Sequence, residues 1–589
     1  MFVPSVKDGR MGICMEYVDK KISLLYPKGE SNGFRIMSEV TMHDLGFDTI
    51  CEAVADKKDG QQAMIMRVLS KMTDDPYVAR YRSDIFEDIY KNPDMCKSMM
   101  EILDKINFLR DYGSFKKKYE EASGIWELMH RLEEINEYIG YVEAIYQCLS
   151  TADIQSEGLL GLREYINEIY HDNGFEDLKK DISKLKSSTQ DLKSVTVGIN
   201  LNERFEANSI GLISINNKYF TKSNVIGNFY DKIASKSPIK DGTTWDGSYK
   251  FHPLNPVIED FQYALEKTVM VNVASQNPLL TANLAAVPTG DTTEDVTRYM
   301  DRVTNHMLSL VVKNLRETLN KYVSISITEI TNLIPEFSYY IRFAEYIKKL
   351  EKHGLKFSKP QIADEKEPDC MMRARGIYNM KLASVAISEQ TEIITNNLDY
   401  DKEHLVYILT GANRGGKTTI TQAIGQLFVL AQGGIRIPGE SFLFQPVDAV
   451  YTHFPADEDK TMDLGRLGEE CKRFKELYFA ATKNSLLLLN ETFSTTSFEE
   501  GYYIAKDAIR AVLHKGIRTL YNTHMHKLAY DIDTFNEEET EGKAVSLIVK
   551  AKTGQRSFKV EIAPPEGMSY AKDIAEKYGV TYEMLMEEK

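Results

Sequence analysis

At 589 residues the chain is too long for one hydrophobic core, and domains of about 100–200 residues imply roughly three to five of them. Hydrophobic content of 43% with 27% charged residues describes an ordinary soluble protein, and no stretch approaches the ~18 apolar residues that a membrane-spanning helix needs. The net charge of −15, from 87 acidic and 72 basic residues, argues against a nucleic-acid binder that works through overall charge, while leaving room for a local basic surface. The six cysteines (Cys14, Cys51, Cys96, Cys148, Cys370, Cys471) contain no CxxC pair. Free thiols in a reducing, cytoplasmic setting are expected, with no zinc site. The first residues carry acids and no long apolar run, and do not read as a signal peptide.

In chain order, residues 1–40 are mixed, with Gly9, Gly12, Gly29 and Gly33 marking turns. From 41 to about 170 the pattern is helical: Met95, Met99, Ile102 and Leu103 recur at helix spacing in Asp94–Lys105, and Trp126–Ser150 is similar. Ser194–Asn200 and Gly211–Asn216 alternate apolar and polar residues and are predicted strands. Ser235–Asp246 reads as a loop or domain edge. From Thr292 the helical period returns, with Val303, Met307, Leu310, Val311, Leu315, Leu319 and Tyr322 on one face. Pro335 is predicted to start or kink the helix that ends near Gly354, and Ser358–Asp369 reads as a linker. Beyond Met371 short apolar runs alternate with helices, as an α/β sheet demands. The lysine run Lys116–Lys118, and Lys179, Lys180, Lys184, Lys186 and Lys193 interleaved with acids, read first as solvated helix faces.

The segment Thr410–Thr419, TGANRGGKTT, fits the P-loop pattern GxxxxGK[ST] at Gly411, Gly415, Gly416, Lys417 and Thr418. An apolar run, Leu405–Leu409, precedes it and a helical stretch follows, which is the context the motif requires. The glycines let backbone N–H groups turn inward around a phosphate, and the helix N-terminus adds partial positive charge. Lys417 is positioned for the β- and γ-phosphates of ATP, and Thr418 for Mg2+. A second apolar run, Ser485–Leu489, ends in Asn490-Glu491 at the place where ATPases of the ABC type carry Asp-Glu. Asn490 offers an oxygen to a metal-bound water but no charge; Glu491 is the candidate base. A polar loop, Thr492–Phe498, a helix over Gly501–Leu513 and a strand over Ile517–Tyr521 follow, and His524 stands just past that strand as a γ-phosphate contact.

These segments resemble the MutS family of ATPases. The family's TGPNMGGKST is similar to TGANRGGKTT, with Asn413 at the family's Asn. Its helix, proline-containing turn, strand and acidic residues correspond to Arg436-Ile437-Pro438, Val447–Tyr451 and Ala456–Asp459. Its apolar strand, Asp-Glu and polar loop correspond to Leu486–Ser497, its Ala-Thr-His to Asn522-Thr523-His524, and its Ser-Tyr-Gly to Ser569-Tyr570-Ala571. The resemblance also puts Ile393, ahead of Asn396-Asn397-Leu398, near the family's adenine-packing side chain. Upstream, His43–Arg82 looks like the start of the family's helical core, Thr292–Gly354 like its lever, and the strand pair near Ser194–Asn216 like its clamp.

The chain departs from the family at Asn490 and at Leu464–Gly468, where Arg466 could still reach a partner subunit's nucleotide but Leu467 stands in place of a serine. The Phe-x-Glu triplet Phe343-Ala344-Glu345 lies mid-helix and reads as core, so a mismatch-reading domain is not expected. The resemblance implies an α plus α/β architecture: an N-terminal segment (1–40), a helical core, lever and small β-containing clamp (41–365), and an ABC-type P-loop ATPase domain (370–589). It implies ATP and Mg2+ as ligands, with Thr418 and Asn490 toward the metal and Thr419 in the phosphate cradle. It further implies a homodimer and DNA as cargo, structured or branched ahead of mismatched, with no membrane. The alternative is a slow or silent ATPase acting as a clamp or scaffold on ribosomes or protein partners.

Overall fold

Strands covered on both faces read as unbroken apolar runs, and the two runs singled out above are such strands. The computed structural model describes residues 22–27, 34–55, 61–110, 125–189, 194–201, 203–204, 207–216, 309–322, 333–363, 370–389, 391–411, 416–455, 465–538, 540–552, 555–565 and 578–587. The chain divides into two compact units, Met1–Leu103 with Cys148–Glu164 and Asn332–Lys589, and Asp104–Gln147 with Tyr165–Thr331. None of the described helices is long and apolar enough to cross a membrane. The segments Lys116–Lys118, Ser235–Asp246, Ala456–Asp459 and Ser569–Ala571 lie outside the described residues.

In the first unit, helices α1 (Glu39–Asp44), α2 (Phe47–Ala55), α3 (Gln61–Leu69) and α4 (Pro76–Lys91) are joined by α5 (Ile334–Glu351). Pro335 lies in the first turn of α5, where its missing N–H costs no hydrogen bond, so it starts the helix rather than kinking it. Phe343 and Ala344 are buried on α5, as the core reading of that triplet requires.

The α/β part of this unit contains β1 (Gln361–Ile362), β2 (Cys370–Ile377), α6 (Lys381–Glu389), β3 (Asn396–Asp401), β4 (His404–Thr410) and α7 (Lys417–Gln432). It continues with β5 (Ser441–Phe444), β6 (Val450–His453), α8 (Gly465–Ala480), β7 (Leu486–Asn490), α9 (Phe498–Lys515), β8 (Arg518–Asn522), β9 (Lys543–Lys552) and β10 (Gln555–Ile562). A six-stranded sheet runs in the order β6-β7-β8-β4-β9-β10, parallel throughout except for the antiparallel edge pair β9–β10. A four-stranded sheet has the order β1-β5-β2-β3.

Two segments differ from expectation. The predicted linker contributes β1, because an edge position beside β5 tolerates Pro360 immediately before it. The strand expected at Val447–Tyr451 instead occupies Val450–His453. The Gln432 side chain explains the shift: its Nε2 donates to Val447 O at 2.7 Å and its Oε1 accepts from Val447 N at 2.9 Å, so Val447 is already satisfied before the ladder begins.

In the second unit, Ser194–Leu201 pairs antiparallel with Ala207–Asn216, the strand pair that the alternation predicts. On the helix Asn173–Thr189, Lys179 lies 3.0 Å from Glu143 and 2.9 Å from Glu176, and Lys186 lies 3.5 Å from Glu133. These lysines are balanced by acids of their own unit, in keeping with a solvated face.

Helix α7 is buried nearly all round. An added Cβ on Gly425 would stand 2.4 Å from Leu45 Cδ2 and 2.8 Å from Leu488 Cδ1, so the helix is wedged between α1 and the central sheet where a larger residue would have to displace leucine side chains. Its glutamines then take up carbonyls that a helix end leaves without an internal partner. Gln422 Nε2 donates to Asp44 O at 2.7 Å and Gln426 Nε2 to Leu45 O at 2.8 Å, both at the C-terminus of α1. In return Arg82 Nη1, from α4, donates to Gln432 O at 3.0 Å, and Tyr339 Oη, from α5, donates to Gly433 O at 2.9 Å. We expect Gly425→Ala to destabilise the protein by about 1–3 kcal/mol through overpacking, read as a lowered Tm. Gly161→Ala, whose Cβ meets nothing within 4 Å, is the helical control and should stay within about 1 kcal/mol of the wild type.

Candidate nucleotide site

Strand β4 delivers the chain to Gly411, and α7 begins at Lys417 with Gly416 as its N-cap. Gly411 has φ +136° and Gly416 φ +86°, backbone that L side chains rarely adopt. Space is tight there as well, since a Cβ on Gly416 would stand 3.2 Å from Phe558 Cδ1. Asn413 and Gly415 lie outside the described residues.

Lys417 is 5% exposed. Its Nζ donates to Gly411 O at 3.0 Å and lies 4.0 Å from Glu491 Oε1. Burial pulls its pKa down, with Glu491 opposing. An ammonium held in such a place is stabilised by any further anion that enters.

The strand ends of β7 and β8 supply the other half of the site. Thr418 Oγ1 donates to Asn490 Oδ1 at 3.0 Å, and Asn522 Nδ2 donates to the same oxygen. Glu491 leaves β7 at φ +53°, and Phe493 two residues on has φ +63°. Left-handed backbone at non-glycine residues is costly and here lies beside the cradle. His453 braces this turn: its Nδ1 is 3.1 Å from Thr492 Oγ1 and its Nε2 3.1 Å from Glu470 O. Burial pushes the His453 pKa down to about 4, so the ring is neutral. The Glu491 carboxylate turns toward His524, with Oε2 2.5 Å from His524 Nδ1 and accepting from His524 N at 3.2 Å. This bond raises the His524 pKa, against the effect of burial. The sequence-predicted pair Glu491 and His524 is thus brought together beside Lys417.

A cavity of about 660 Å³ opens from this cluster. Gly416, Lys417, Thr418, Thr419 and Glu491 line it, and so does Ile393. Phe558 also lines it and was not legible in the sequence. It lies on β10 at φ +55°, held there by Asn396, whose Nδ2 donates to Phe558 O at 3.1 Å and whose Oδ1 accepts from Val560 N at 2.9 Å. No spacing rule links position 558 to a P-loop; the edge pairing of β9 with β10 does. The side chain of Arg466, in the first turn of α8, lies outside the described residues, and its neighbour Leu467 packs on the hydrophobic core beneath the sheet.

The oxygens present suit Mg2+. By giving its proton to Asn490 Oδ1, the Thr418 hydroxyl keeps its lone pairs available, and a hard cation that retains several waters needs few protein oxygens.

Residues 407–587, from within β4 past the last sheet strand, match the family MutS domain V. Residues 74–353 match the MutS2 N-terminal domain. The chain belongs to the MutS family. Among MutS-family relatives, Endonuclease MutS2 of Thermus thermophilus is 25% identical over 194 residues, covering 33% of this chain and 25% of that protein. Endonuclease MutS2 of Caldicellulosiruptor bescii is 26% identical over 278 residues, 46% of this chain and 34% of that protein. DNA mismatch repair protein MutS of Haloquadratum walsbyi is 31% identical over 140 residues, 24% of this chain and 15% of that protein. The chain therefore spans at most about a third of the length of these relatives.

Because the folded pKa of His524 is raised, its bond to Glu491 stabilises the fold fully below the ordinary value of 6.5 and is lost as pH rises through the higher folded value. His524→Gln should accordingly lower Tm more at about pH 6 than at about pH 8.5, in nucleotide-free thermal denaturation.

Proposed function

We propose that the chain binds ATP with Mg2+ in this cavity, hydrolyses it slowly, and uses nucleotide occupancy to gate a clamp on DNA. What supports the reading is a cavity lined by Lys417, Thr418, Glu491, Ile393 and Phe558, with His524 bonded to Glu491. The β- and γ-phosphates take the buried ammonium of Lys417, and the first N–H groups of α7 complete the cradle around Gly411, Asn413, Gly415, Gly416 and Thr419. Ile393 and Phe558 offer apolar surface to the base. Thr418 and Asn490 would hold Mg2+, which supplies positive charge to the phosphates. As Lys417 turns to the phosphates, Glu491 keeps His524 as its partner and has a second oxygen to orient a water and accept its proton. His524, whose protonated form Glu491 favours, is available to the γ-phosphate.

One nucleotide site per chain suits a two-fold homodimer, with Arg466 offered to the partner's nucleotide. The helical core, lever and clamp then carry the nucleotide state to the cargo. Relatives named for endonuclease and mismatch-repair roles support DNA as that cargo, with structured or branched DNA preferred here, in the cytoplasm. The neutral Asn490 and the net charge of −15 favour a second reading, in which a nearly silent ATPase serves as a clamp on ribosomes or protein partners.

Lys417→Ala and Glu491→Gln are each expected to lower ATP turnover by about 100-fold or more, Glu491→Gln while still binding nucleotide. Asn490→Asp should raise turnover. Equal turnover in the wild type, Lys417→Ala and Glu491→Gln would remove hydrolysis from the mechanism. Binding to duplex, branched and single-stranded DNA, titrated with salt, separates the two readings: phosphate contacts give a steep loss of affinity with salt, and absence of DNA binding at low salt favours the protein-partner clamp.

A further inference from the structure

Asn490 and Asn522 are cross-strand neighbours at the ends of two adjacent parallel strands, β7 and β8. Both are sealed from solvent, at 5% and 0% exposure. Their backbones are pinned by the sheet: Glu491 N donates to Asn522 O at 2.8 Å and Thr523 N to Leu409 O at 3.0 Å. Only the amide planes have freedom to turn.

A carboxylate at position 490 would present two identical acceptors, and its rotation would change nothing. A carboxamide presents an acceptor at one end and two donors at the other. Turned one way, Asn490 gives its oxygen to Thr418 Oγ1, as observed at 3.0 Å. Turned the other way, it would press N–H groups on the hydroxyl, occupy a lone pair there and face donors toward any cation beside it. Asn522 favours the first, because its Nδ2 donates to Asn490 Oδ1. The Asn522 Oδ1 meanwhile has no hydrogen-bond partner among the described residues. A buried acceptor left in that state is unfavourable for stability. Reversing Asn522 would set its oxygen against that of Asn490, so the two orientations hold each other.

We propose that Asn522 is a positioning residue that locks the Asn490 amide with its oxygen toward Thr418 and the Mg2+ position, making a neutral side chain serviceable in a metal site. The inference rests on the ATP and Mg2+ reading above. It assigns Asn522 no contact with nucleotide or with the reacting atoms.

The test follows binding of a fluorescent ATP analogue while Mg2+ is titrated, in the wild type, Asn522→Ala, Asn490→Asp and the double variant. Asn522→Ala should raise the Mg2+ concentration for half-saturation roughly three- to ten-fold, the range one hydrogen bond supplies, with metal-free nucleotide binding unchanged. In the Asn490→Asp background the same substitution should change it by less than about two-fold, because a carboxylate has no wrong orientation. Equal penalties in both backgrounds, or none in either, would overturn the assignment. Failure of the wild type and Asn490→Asp alike to bind the nucleotide would instead overturn the site reading itself. Should the alanine variant not fold, Asn522→Leu keeps the volume, removes the amide and carries the same expectations.

Discussion

Gln426 is fully buried at the middle of α7. Its Nε2 donates to Leu45 O at 2.8 Å and to Asn379 Oδ1 at 3.0 Å, and its Oε1 accepts from Met380 N at 2.9 Å. One side chain thus ties the helix behind the phosphate cradle to the C-terminus of α1 and to the turn before α6. Gln422, one turn earlier, and Gln432, at the last position of the helix, repeat the device. Leaving any of these buried carbonyls unpaired costs about 1–3 kcal/mol, so α7 cannot slide or rotate without taking its neighbours along. Close packing at Gly425 imposes the same constraint sterically.

The second determinant is electrostatic. Lys417 and Glu491 stand 4.0 Å apart, in a setting whose burial disfavours the charge on Lys417, and His524 takes the other oxygen of Glu491. The arrangement is internally balanced yet retains groups suited to an incoming anion. Backbone strain is concentrated in the same place. Glu491, Phe493 and Phe558 are the non-glycine residues with positive φ among those described, and Glu491 and Phe558 both line the cavity. The Asn396 clamp on the strand of Phe558 is what sustains one of these conformations. Such strain survives because the surrounding hydrogen bonds over-determine it.

Asn490 modifies this balance. A carboxylate there would add negative charge beside Glu491 and bind a cation more tightly; the amide gives up that charge and gains an orientation that must be specified. The cross-strand partner Asn522 supplies the specification within the sheet itself.

Much of the α/β half could be read from local pattern. Fully buried parallel strands must be apolar along their length, so Leu405–Leu409 and Ser485–Leu489 announced β4 and β7, and the P-loop pattern announced glycines at Gly411 and Gly416, both of which take positive φ. Glu491 and His524 stand out in the sequence because each follows the end of such a strand, and the structure sets them 2.5 Å apart. Sequence periodicity carries no information about which side chains of distant segments meet. The tertiary structure alone decided that Phe558 shares a cavity with Lys417, that Gln432 satisfies Val447 ahead of β6, and that Asn522 donates to Asn490. Each of these depends on strand order, register and a long-range polar contact, and the 3.6- and 2-residue periods of helix and strand encode only which face of a segment is apolar.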